Sequence, residues 1–429
     1  MSPLQNALED FRDAARQFSR PARFYLLSEF LVWSGQGIFS VLFNLYLVEA
    51  GFPERFVGRA VGMTALGLAL AALPAGMLAE RWSRRNCIIL GAAFEGIGHA
   101  LRAGSTHGPT ILAMGMVIGV GQALFTISAA PFITEHSSPR ERTHLFSTFF
   151  ASALLAGVFG SAVGGALPHV VQAVWRGMPL FAAYRVTLFV GAALAVSSML
   201  PLIAMGAIDE KPLAHGTEPV TPADRRRLLP IALNALLIGL GAGLVIPFMN
   251  LYFKDRFHCS SAQIGGFFSI AQVFTATAAL LGPALARRFG KLRTAVTSEL
   301  LSLPFLVTLG AERRLGVAAA SFWMRATLMQ AATPLLQTFI MEAMPRALRA
   351  RASSLMNLVW NIGWAVSAML AGTVIERFGY AAPFYVTASL YLIAAITFWL
   401  AFRRLPEHGD EVRLSEEAKG LRGEGVMSD

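Results

Sequence analysis

The chain has few charged residues for its size. Only 14% of its 429 residues are Asp, Glu, Lys or Arg, whereas 55% are hydrophobic. A soluble protein carries about 25% charged residues, so the missing polarity indicates that much of the surface faces lipid. The net charge is +10, and the basic residues lie in short segments between apolar runs. This placement favours a membrane topology signal over nucleic-acid binding.

Several functional signatures are also absent. The two cysteines, Cys87 and Cys259, are predicted to lie on opposite sides of the membrane, which argues against a disulfide. There is no phosphate-binding Gly-Lys-Ser/Thr loop, no metal-ligand spacing and no supported Ser-His-Asp order. The sequence therefore predicts no ATP-driven transport, no enzyme activity, no metal and no cofactor.

Apolar runs divide the chain into two sets of six predicted spans, since a bilayer crossing needs about 20 helical residues. The predicted spans are 24–50, 56–79, 86–104, 109–134, 144–167, 183–206, 229–253, 262–286, 294–311, 315–340, 352–375 and 382–402. The run 86–104 is the weakest, because Glu95, His99 and Arg102 interrupt it. The charged start of the chain does not fit a signal peptide.

The two sets repeat the same residues about 207 positions apart. The matching pairs are Gly58 and Gly265, Arg81 and Arg288, Trp82 and Phe289, Glu135 and Glu342, Arg142 and Arg349, Ser147 and Ser354, and Gly165 and Gly372. Asn44 and Asn250 match one residue off that register. A duplicated apolar unit indicates a transporter built from two halves around a central site. The predicted fold class is all-α integral membrane, with twelve transmembrane helices in two pseudo-symmetric six-helix bundles around a central cavity.

The predicted domain organisation follows from polarity. Residues 1–206 form the first bundle, with 1–21 as a cytoplasmic lead-in; 207–228 is a cytoplasmic linker; 229–403 is the second bundle; and 404–429 is a mobile cytoplasmic tail. Lys and Arg are more frequent in one set of loops, which predicts that both termini are cytoplasmic. We expect a multi-pass protein of the cell (inner) membrane.

The loop after the second span, residues 76–85, reads GMLAERWSRR. It resembles the signature of the major facilitator superfamily, with Glu80 where Asp is usual and Ser83 where Gly is usual. The second half carries a degraded copy at 287–291. The resemblance covers nearly the whole chain and implies a secondary transporter with rocking alternating access. The candidate gating residues, which form a latch between the halves, are Gly76, Glu80, Arg81, Arg84 and Arg85; the alternative is a basic turn that only sets topology.

The fifth span contains a glycine-rich segment, residues 157–165. It resembles the antiporter motif of the drug-exporter branch, in which Pro stands where this chain has Ser161. The candidate motif residues are Gly160, Gly164 and Gly165. Packing of small residues between membrane helices explains the same pattern, so both interpretations remain open.

Two polar stripes at helical spacing mark candidate functional faces. Glu29 belongs to a stripe in the first span, and it is a candidate proton carrier because withdrawal from water favours the neutral form of a carboxyl group. The alternative is a carboxylate that reaches headgroups or pairs with an Arg. Arg325 lies on a stripe in the tenth span, which the family resemblance places at the cavity; the alternative is a structural ion pair.

The other polar residues of the spans fall into two groups. The family resemblance places Glu95, His99 and Arg102 of the third span at the periphery, where pairing along the helix is favoured and a proton relay through His99 is the alternative. The substrate cavity candidates are Trp33, Gln36, Asn44, Gln122, Thr126, Gln272, Arg325, Met329, Thr333, Asn357, Trp360, Asn361 and Trp364. Trp360 and Trp364 are suited either to stacking on a substrate or to packing.

These features predict a proton-coupled secondary transporter of a small organic molecule, with export favoured by the fifth-span motif. The expected partners are the substrate, protons and the lipid bilayer, without nucleic acid, and the chain is expected to be a monomer. The alternatives are uptake of an organic anion by a symporter or uniporter, with Arg325 binding the anionic group, and a membrane scaffold or sensor without transport.

Overall fold

A computed structural model describes residues 18–138, 142–206, 222–344 and 346–403, and the regular structure within these ranges is helical. The helices are α1 (Arg20–Glu49), α2 (Glu54–Arg81), α3 (Arg84–Gly104), α4 (Gly108–Glu135), α5 (Arg142–Val174), α6 (Leu180–Ser197), α7 (Met199–Ala204), α8 (Pro222–Val245), α9 (Met249–Phe257), α10 (Ser261–Phe289), α11 (Lys291–Ala311), α12 (Leu315–Ala343), α13 (Arg346–Phe378) and α14 (Ala381–Phe402). α6 and α7 form one crossing, and α8 continues through the 3₁₀ turn Ile246–Phe248 into α9 to form another.

Within the described ranges, nine of these crossings are both long and apolar enough to span a bilayer. The remaining three, α3, α10 and α12, have 21, 29 and 29 residues and are long enough as well. The low hydropathy of α3 agrees with Glu95, His99 and Arg102, which interrupt the predicted span 86–104. It packs against α4 and α6 and so belongs to the same bundle.

The helices begin and end where local hydrogen bonding allows it. Ser19 and Ser83 each accept a hydrogen bond at 3.3 Å from the backbone N–H three residues further on. Ser260 and Gln263 form a capping box at the start of α10. These bonds satisfy N–H groups that have no partner inside the helix. Gly290, with φ of 87°, forms the tight turn between α10 and α11.

The observed helices extend beyond the predicted apolar runs, because their terminal turns contain polar residues. α8 begins at Pro222, inside the segment 207–228 that was predicted as a linker. The rest of that linker, residues 207–221, lies outside the described residues, as do residues 1–17 of the lead-in and the predicted tail 404–429.

Equivalent contacts recur inside the two halves. The Tyr46 hydroxyl donates to the Ala103 carbonyl at 2.8 Å, and the Tyr252 hydroxyl donates to the Leu309 carbonyl at 2.7 Å. Both bonds join the first crossing of a half to the end of its third crossing. The sequence repeat therefore corresponds to two bundles, α1–α7 and α8–α14.

The bundles meet through glycines of the repeat. A β-carbon on Gly58 would lie 3.2 Å from the Gly372 nitrogen, and one on Gly265 would lie 2.7 Å from the Gly165 Cα. One close crossing thus occurs twice, between α2 and α13 and between α10 and α5. We call this end of the molecule the closed end; its connections are 50–53, 105–107, 175–179, 258–260, 312–314 and 379–380. The opposite end, with residues 76–85, is the motif end.

Candidate functional site

A cavity of about 150 Å³ lies between the first four helices of the N-terminal bundle. It is lined by Val32, Trp33, Gln36, Leu68, Glu95, Gln122, Phe125 and Thr126. Four of the sequence-predicted cavity residues, Trp33, Gln36, Gln122 and Thr126, are therefore brought together here. The lining combines aromatic rings, amides and one carboxyl group, which suits a small organic group with a polar or charged part.

Glu95 lines this cavity, although sequence analysis placed its helix away from the cavity. The side chain is 3% exposed and has no hydrogen-bond or ion-pair partner within the described part of the chain. The reason for its position is a tight crossing of α3 and α4. A β-carbon on Gly91 would lie 2.7 Å from the Gly121 carbonyl oxygen, and one on Gly121 would lie 2.9 Å from the Glu95 nitrogen. Glycines in both spans were the signal that could have predicted this approach.

The other two residues of that α3 face make polar contacts with neighbouring helices. His99 Nε2 lies 3.3 Å from Gln36 Oε1 of α1, and Arg102 donates to Thr64 Oγ1 of α2 at 3.1 Å. The residues were expected to pair along α3. In the described structure neither bonds Glu95, because their side chains are directed to α1 and α2.

Glu29 lies outside the lining of the cavity, one helical turn from Trp33 toward the motif end. It is 0% exposed, and both carboxyl oxygens lack a hydrogen-bond partner among the described residues. One turn further, Tyr25 packs on Phe125 and Phe132, with ring centroids 6.1 and 5.4 Å apart. Glu29 therefore lies between an aromatic cluster and the cavity.

Asn44, which was predicted as a cavity residue, lies instead at the contact between the bundles. It is 5% exposed, and its Nδ2 donates to the Pro247 carbonyl at 2.5 Å and to Asn250 Oδ1 at 3.2 Å. The polar stripe that begins at Glu29 lies on one face of α1. Along the helix this face contacts first the aromatic cluster, then the cavity and finally the other bundle.

Arg325 is buried inside the C-terminal bundle, at 3% exposure. Its Nε has no acceptor among the described residues, but its guanidinium interacts with Tyr391 of α14, which also interacts electrostatically with Glu299 of α11. Met329, one turn along α12, accepts a hydrogen bond from Ser302 at 3.3 Å. Sequence analysis missed Glu299, although it is the one charged residue in the predicted span 294–311.

The remaining candidates of the C-terminal half are spread over three helices. Thr333 and Asn357 are exposed, and Asn361 is half-buried with its amide bonded to the carbonyl of Asn357 at 2.8 Å. The rings of Trp360 and Trp364 are 5.0 Å apart. Gln272 is half-buried and lies against Gly157 of α5. These residues do not line the cavity of the N-terminal bundle.

The basic residues of the motif loop hold it to the N-terminal bundle. Arg84 forms an ion pair with Glu135 at the end of α4, and Arg85 donates to the Leu202 carbonyl at 3.0 Å and the Ile203 carbonyl at 3.3 Å. Glu80, Arg81 and Gly76 lie beside them; the first two are exposed and Gly76 is half-buried. The C-terminal half repeats the ion pair between Lys291 and Glu342, at 2.5 Å.

The glycines of the fifth span are helix contact points. A β-carbon on Gly160 would lie 2.9 Å from Gly37 Cα of α1, and one on Gly164 would lie 3.0 Å from Ile38 Cα. Gly165 makes the crossing with Gly265 of the other bundle. The segment therefore packs α5 against both α1 and α10.

The fold and these sites define a multi-pass, all-α membrane protein of two repeated six-helix bundles. The sequence profile of the Major Facilitator Superfamily matches residues 25–230 and 231–426, and the chain belongs to this family. The predicted family and fold class are thereby confirmed. The chain is a transporter, so the prediction that it is not an enzyme is also confirmed.

Individual relatives agree with this placement. The chain is 21% identical to the multidrug resistance protein MdtG of Proteus mirabilis (strain HI4320), over 87% of this chain and 94% of that protein. Its fold is similar to that of a bacterial homologue of the human lysosomal transporter Spinster in an inward-facing, unoccupied conformation. The TM-score is 0.73 and the sequence identity is 16%, over 89% of this chain and 96% of that chain. The fold is also similar to that of a bacterial homologue of the iron transporter ferroportin in an inward-facing state. The TM-score is 0.71 and the sequence identity is 18%, over 89% of this chain and 98% of that chain.

Proposed function

We propose that this transporter exports small organic molecules across the cell's inner membrane, driven by a proton gradient, through rocking alternating access. The observation that carries the proposal is the duplicated glycine crossing at the closed end. Gly58 with Gly372 and Gly265 with Gly165 join the bundles through small surfaces that are related by the repeat. Contacts of this kind can separate together when the bundles rock about a shared axis.

The direction of transport and the orientation rest on sequence features. The multidrug resistance protein of Proteus mirabilis covers almost the same length, and its name supports export. The fifth-span motif supports the same direction. We place both termini and the motif end in the cytoplasm, because Lys and Arg are more frequent in those loops. The closed end then faces outward.

Glu29 is the proposed proton carrier. Its carboxyl group is fully buried with no hydrogen-bond partner for either oxygen among the described residues. A buried, unpaired carboxyl group inside a membrane is costly to ionise, and such residues mark proton pathways. Glu29 lies one helical turn from Trp33, which lines the cavity. Protonation of Glu29 would therefore change the electrostatic potential in the cavity. The motif residues Glu80 and Arg81 are the proposed latch when the motif end closes.

The test uses purified protein in liposomes with an imposed pH gradient and an internal pH-sensitive dye. Addition of substrate from a panel of fluorescent hydrophobic dyes should release a proton flux. Glu29→Gln should abolish this flux while dye binding and folding persist. The matched control is Glu299→Gln, which replaces a buried carboxyl group of the other bundle. This variant should retain proton-coupled transport. Unchanged coupling in Glu29→Gln would refute the assigned role.

Uptake of an organic anion is the second candidate, because Arg325 Nε lacks an acceptor among the described residues. A buried guanidinium cannot lose its proton and requires an anionic or carbonyl partner. Tyr391 interacts with Arg325, so the guanidinium already has a polar neighbour, which disfavours this function. Arg325→Met should lower affinity for anionic substrates selectively if uptake of anions is correct, and should leave their binding unchanged if export is correct.

A further inference from the structure

We propose that the cavity between α1, α2, α3 and α4 binds a quaternary or tertiary ammonium group, with Glu95 as its counter-charge. This inference rests on the proposed function, because it names the chemical class that the exporter would carry. Glu95 was not among the residues that the sequence assigned to substrate. The cationic head would occupy the cavity, while the rest of the molecule remains in the space between the bundles.

Glu95 is a buried acidic residue at the wall of the cavity. The side chain is 3% exposed, faces the cavity and has no hydrogen-bond or ion-pair partner in the described part of the chain. A buried carboxylate is stabilised only when a cation or several donors accompany it. Unlike Glu29, Glu95 lines the cavity, so a positive group that arrives with a ligand can supply this partner.

Arg102 is the cation nearest to Glu95 along α3, and it does not serve as the counter-charge of Glu95. Arg102 is seven residues further along α3, about 10 Å at a rise of ~1.5 Å per residue. Its guanidinium donates to Thr64 and lies over the ring of Phe43. His99, between the two, is engaged with Gln36. Both groups are held by α1 and α2, and Glu95 remains available to a ligand.

The shape and lining of the cavity select the kind of cation. A volume of about 150 Å³ matches a ring or a compact head group rather than a whole drug-sized molecule, since a cavity of ~150 Å³ holds benzene. Trp33 and Phe125 supply aromatic surfaces that attract cations through their ring faces. The amides of Gln36 and Gln122 can orient a polar substituent. An anion of the same size would be repelled by the Glu95 carboxylate, and no cationic side chain is among the lining residues.

The test compares two ligands of nearly identical shape and different charge. 4-Hydroxyphenyltrimethylammonium is a permanent cation, and 4-tert-butylphenol is its neutral counterpart. Binding of each to the full-length protein in nanodiscs is measured by calorimetry at one neutral pH, without any gradient. The cation should bind more tightly to the unmodified protein. Glu95→Gln should weaken the cation about ten- to a hundredfold, as expected for loss of a charged partner, and should leave the phenol unchanged.

Glu299→Gln is the matched control, because it neutralises a buried carboxyl that does not line the cavity, and it should bind both ligands normally. A second measurement needs no variant. Dicyclohexylcarbodiimide modifies buried carboxyl groups, and mass spectrometry should show that the cation protects Glu95 of the unmodified protein while the phenol does not. Equal protection by the two ligands, or equal cation affinity in Glu95→Gln, would overturn the proposal.

The outcomes separate this inference from the proposed function. Cation binding that depends on Glu95, without any proton-coupled flux in liposomes, supports the subsite and contradicts the export mechanism. Coupled flux together with unaltered cation affinity in Glu95→Gln contradicts the subsite alone.

Discussion

Asn44 donates a hydrogen bond to Asn250 at 3.2 Å, although the two are equivalent residues of the sequence repeat. A residue that contacts its own counterpart lies on the axis that relates the two copies. Asn250 in turn donates to the Val41 carbonyl at 2.9 Å and the Ser40 carbonyl at 3.3 Å. This pair therefore marks the pseudo-two-fold axis of the transporter at the closed end.

Replacing Asn250 with alanine should loosen the closed end. Asn44 loses one of its two acceptors and the Val41 carbonyl loses a donor, and each lost hydrogen bond costs about 0.5–1.5 kcal/mol. Cys259 at this end is 5% exposed, and burial raises the pKa of its thiol, so it reacts slowly while the end is closed. We expect faster maleimide labelling of Cys259 in Asn250→Ala.

The control for that measurement is Asn361→Ala, because the Asn361 amide donates to a carbonyl of its own helix. Labelling of Cys259 in this variant should match that of the unmodified protein. Equal labelling rates in both variants and the parent would contradict a role of the Asn44–Asn250 pair in closure.

Substitution by alanine at two adjacent glycines of α10 should reduce transport at one position and leave it unchanged at the other. A β-carbon on Gly265 would lie 2.4 Å from the Ser161 carbonyl oxygen, whereas one on Gly266 would have no atom within 4 Å. Gly265→Ala should therefore separate α5 from α10 and reduce transport at least tenfold, since overpacking costs about 1–3 kcal/mol. Gly266→Ala should transport normally. The measurement is initial uptake of dye into liposomes, and parallel loss in both variants would disprove the packing argument.

The repeated ion pair of the motif end should contribute unequally to stability in the two halves. The side chains of Arg84 and Glu135 are 4% and 15% exposed, and those of Lys291 and Glu342 are 31% and 36% exposed. Glu135→Gln removes the carboxylate from a largely buried ion pair and should lower the free energy of unfolding by about 3 kcal/mol. Glu342→Gln should cost at most ~1 kcal/mol. Denaturant unfolding in detergent would compare the two, and similar losses would argue against burial as the cause.

The connection between α11 and α12 should loosen at acidic pH. Backbone N–H groups of Arg314 and Arg313 donate to Glu312 and lower the pKa of its carboxyl group. Because the folded pKa lies below the unfolded value of about 4.3, the stabilisation is present above that value. It is lost as the pH falls through the folded pKa. Exchange-resistant amides of residues 313 and 314 should lose protection in that window.

Glu312→Gln provides the comparison for the acid prediction. Glutamine has no titratable group, so protection at these amides should be lower at neutral pH and independent of pH in the acidic range. A pH-dependent loss of protection that persists in Glu312→Gln would assign the effect to another group.

Sequence reasoning predicted the candidate site only in part. Trp33, Gln36, Gln122 and Thr126 were predicted from polar positions in apolar spans, and the structure places all four around one cavity. Glu95 was placed away from the cavity, because periodicity shows which residues share a helix face but not which neighbour that face meets. The close packing of α3 against α4 depends on Gly91 and Gly121, which contact each other across the two helices. The pattern of residues within one helix does not show such a contact.

The order of residues is enough to assign the class of protein. The lengths of its apolar runs match the thickness of a bilayer, and the offset of about 207 residues requires two similar halves. Both conclusions follow from the order of residues along one chain. The three-dimensional arrangement of the helices was needed to learn that Asn44 contacts Asn250, that Glu95 faces a cavity and that Glu29 has no hydrogen-bond partner among the described residues. These facts depend on how helices approach one another, which is set by packing between residues distant in sequence.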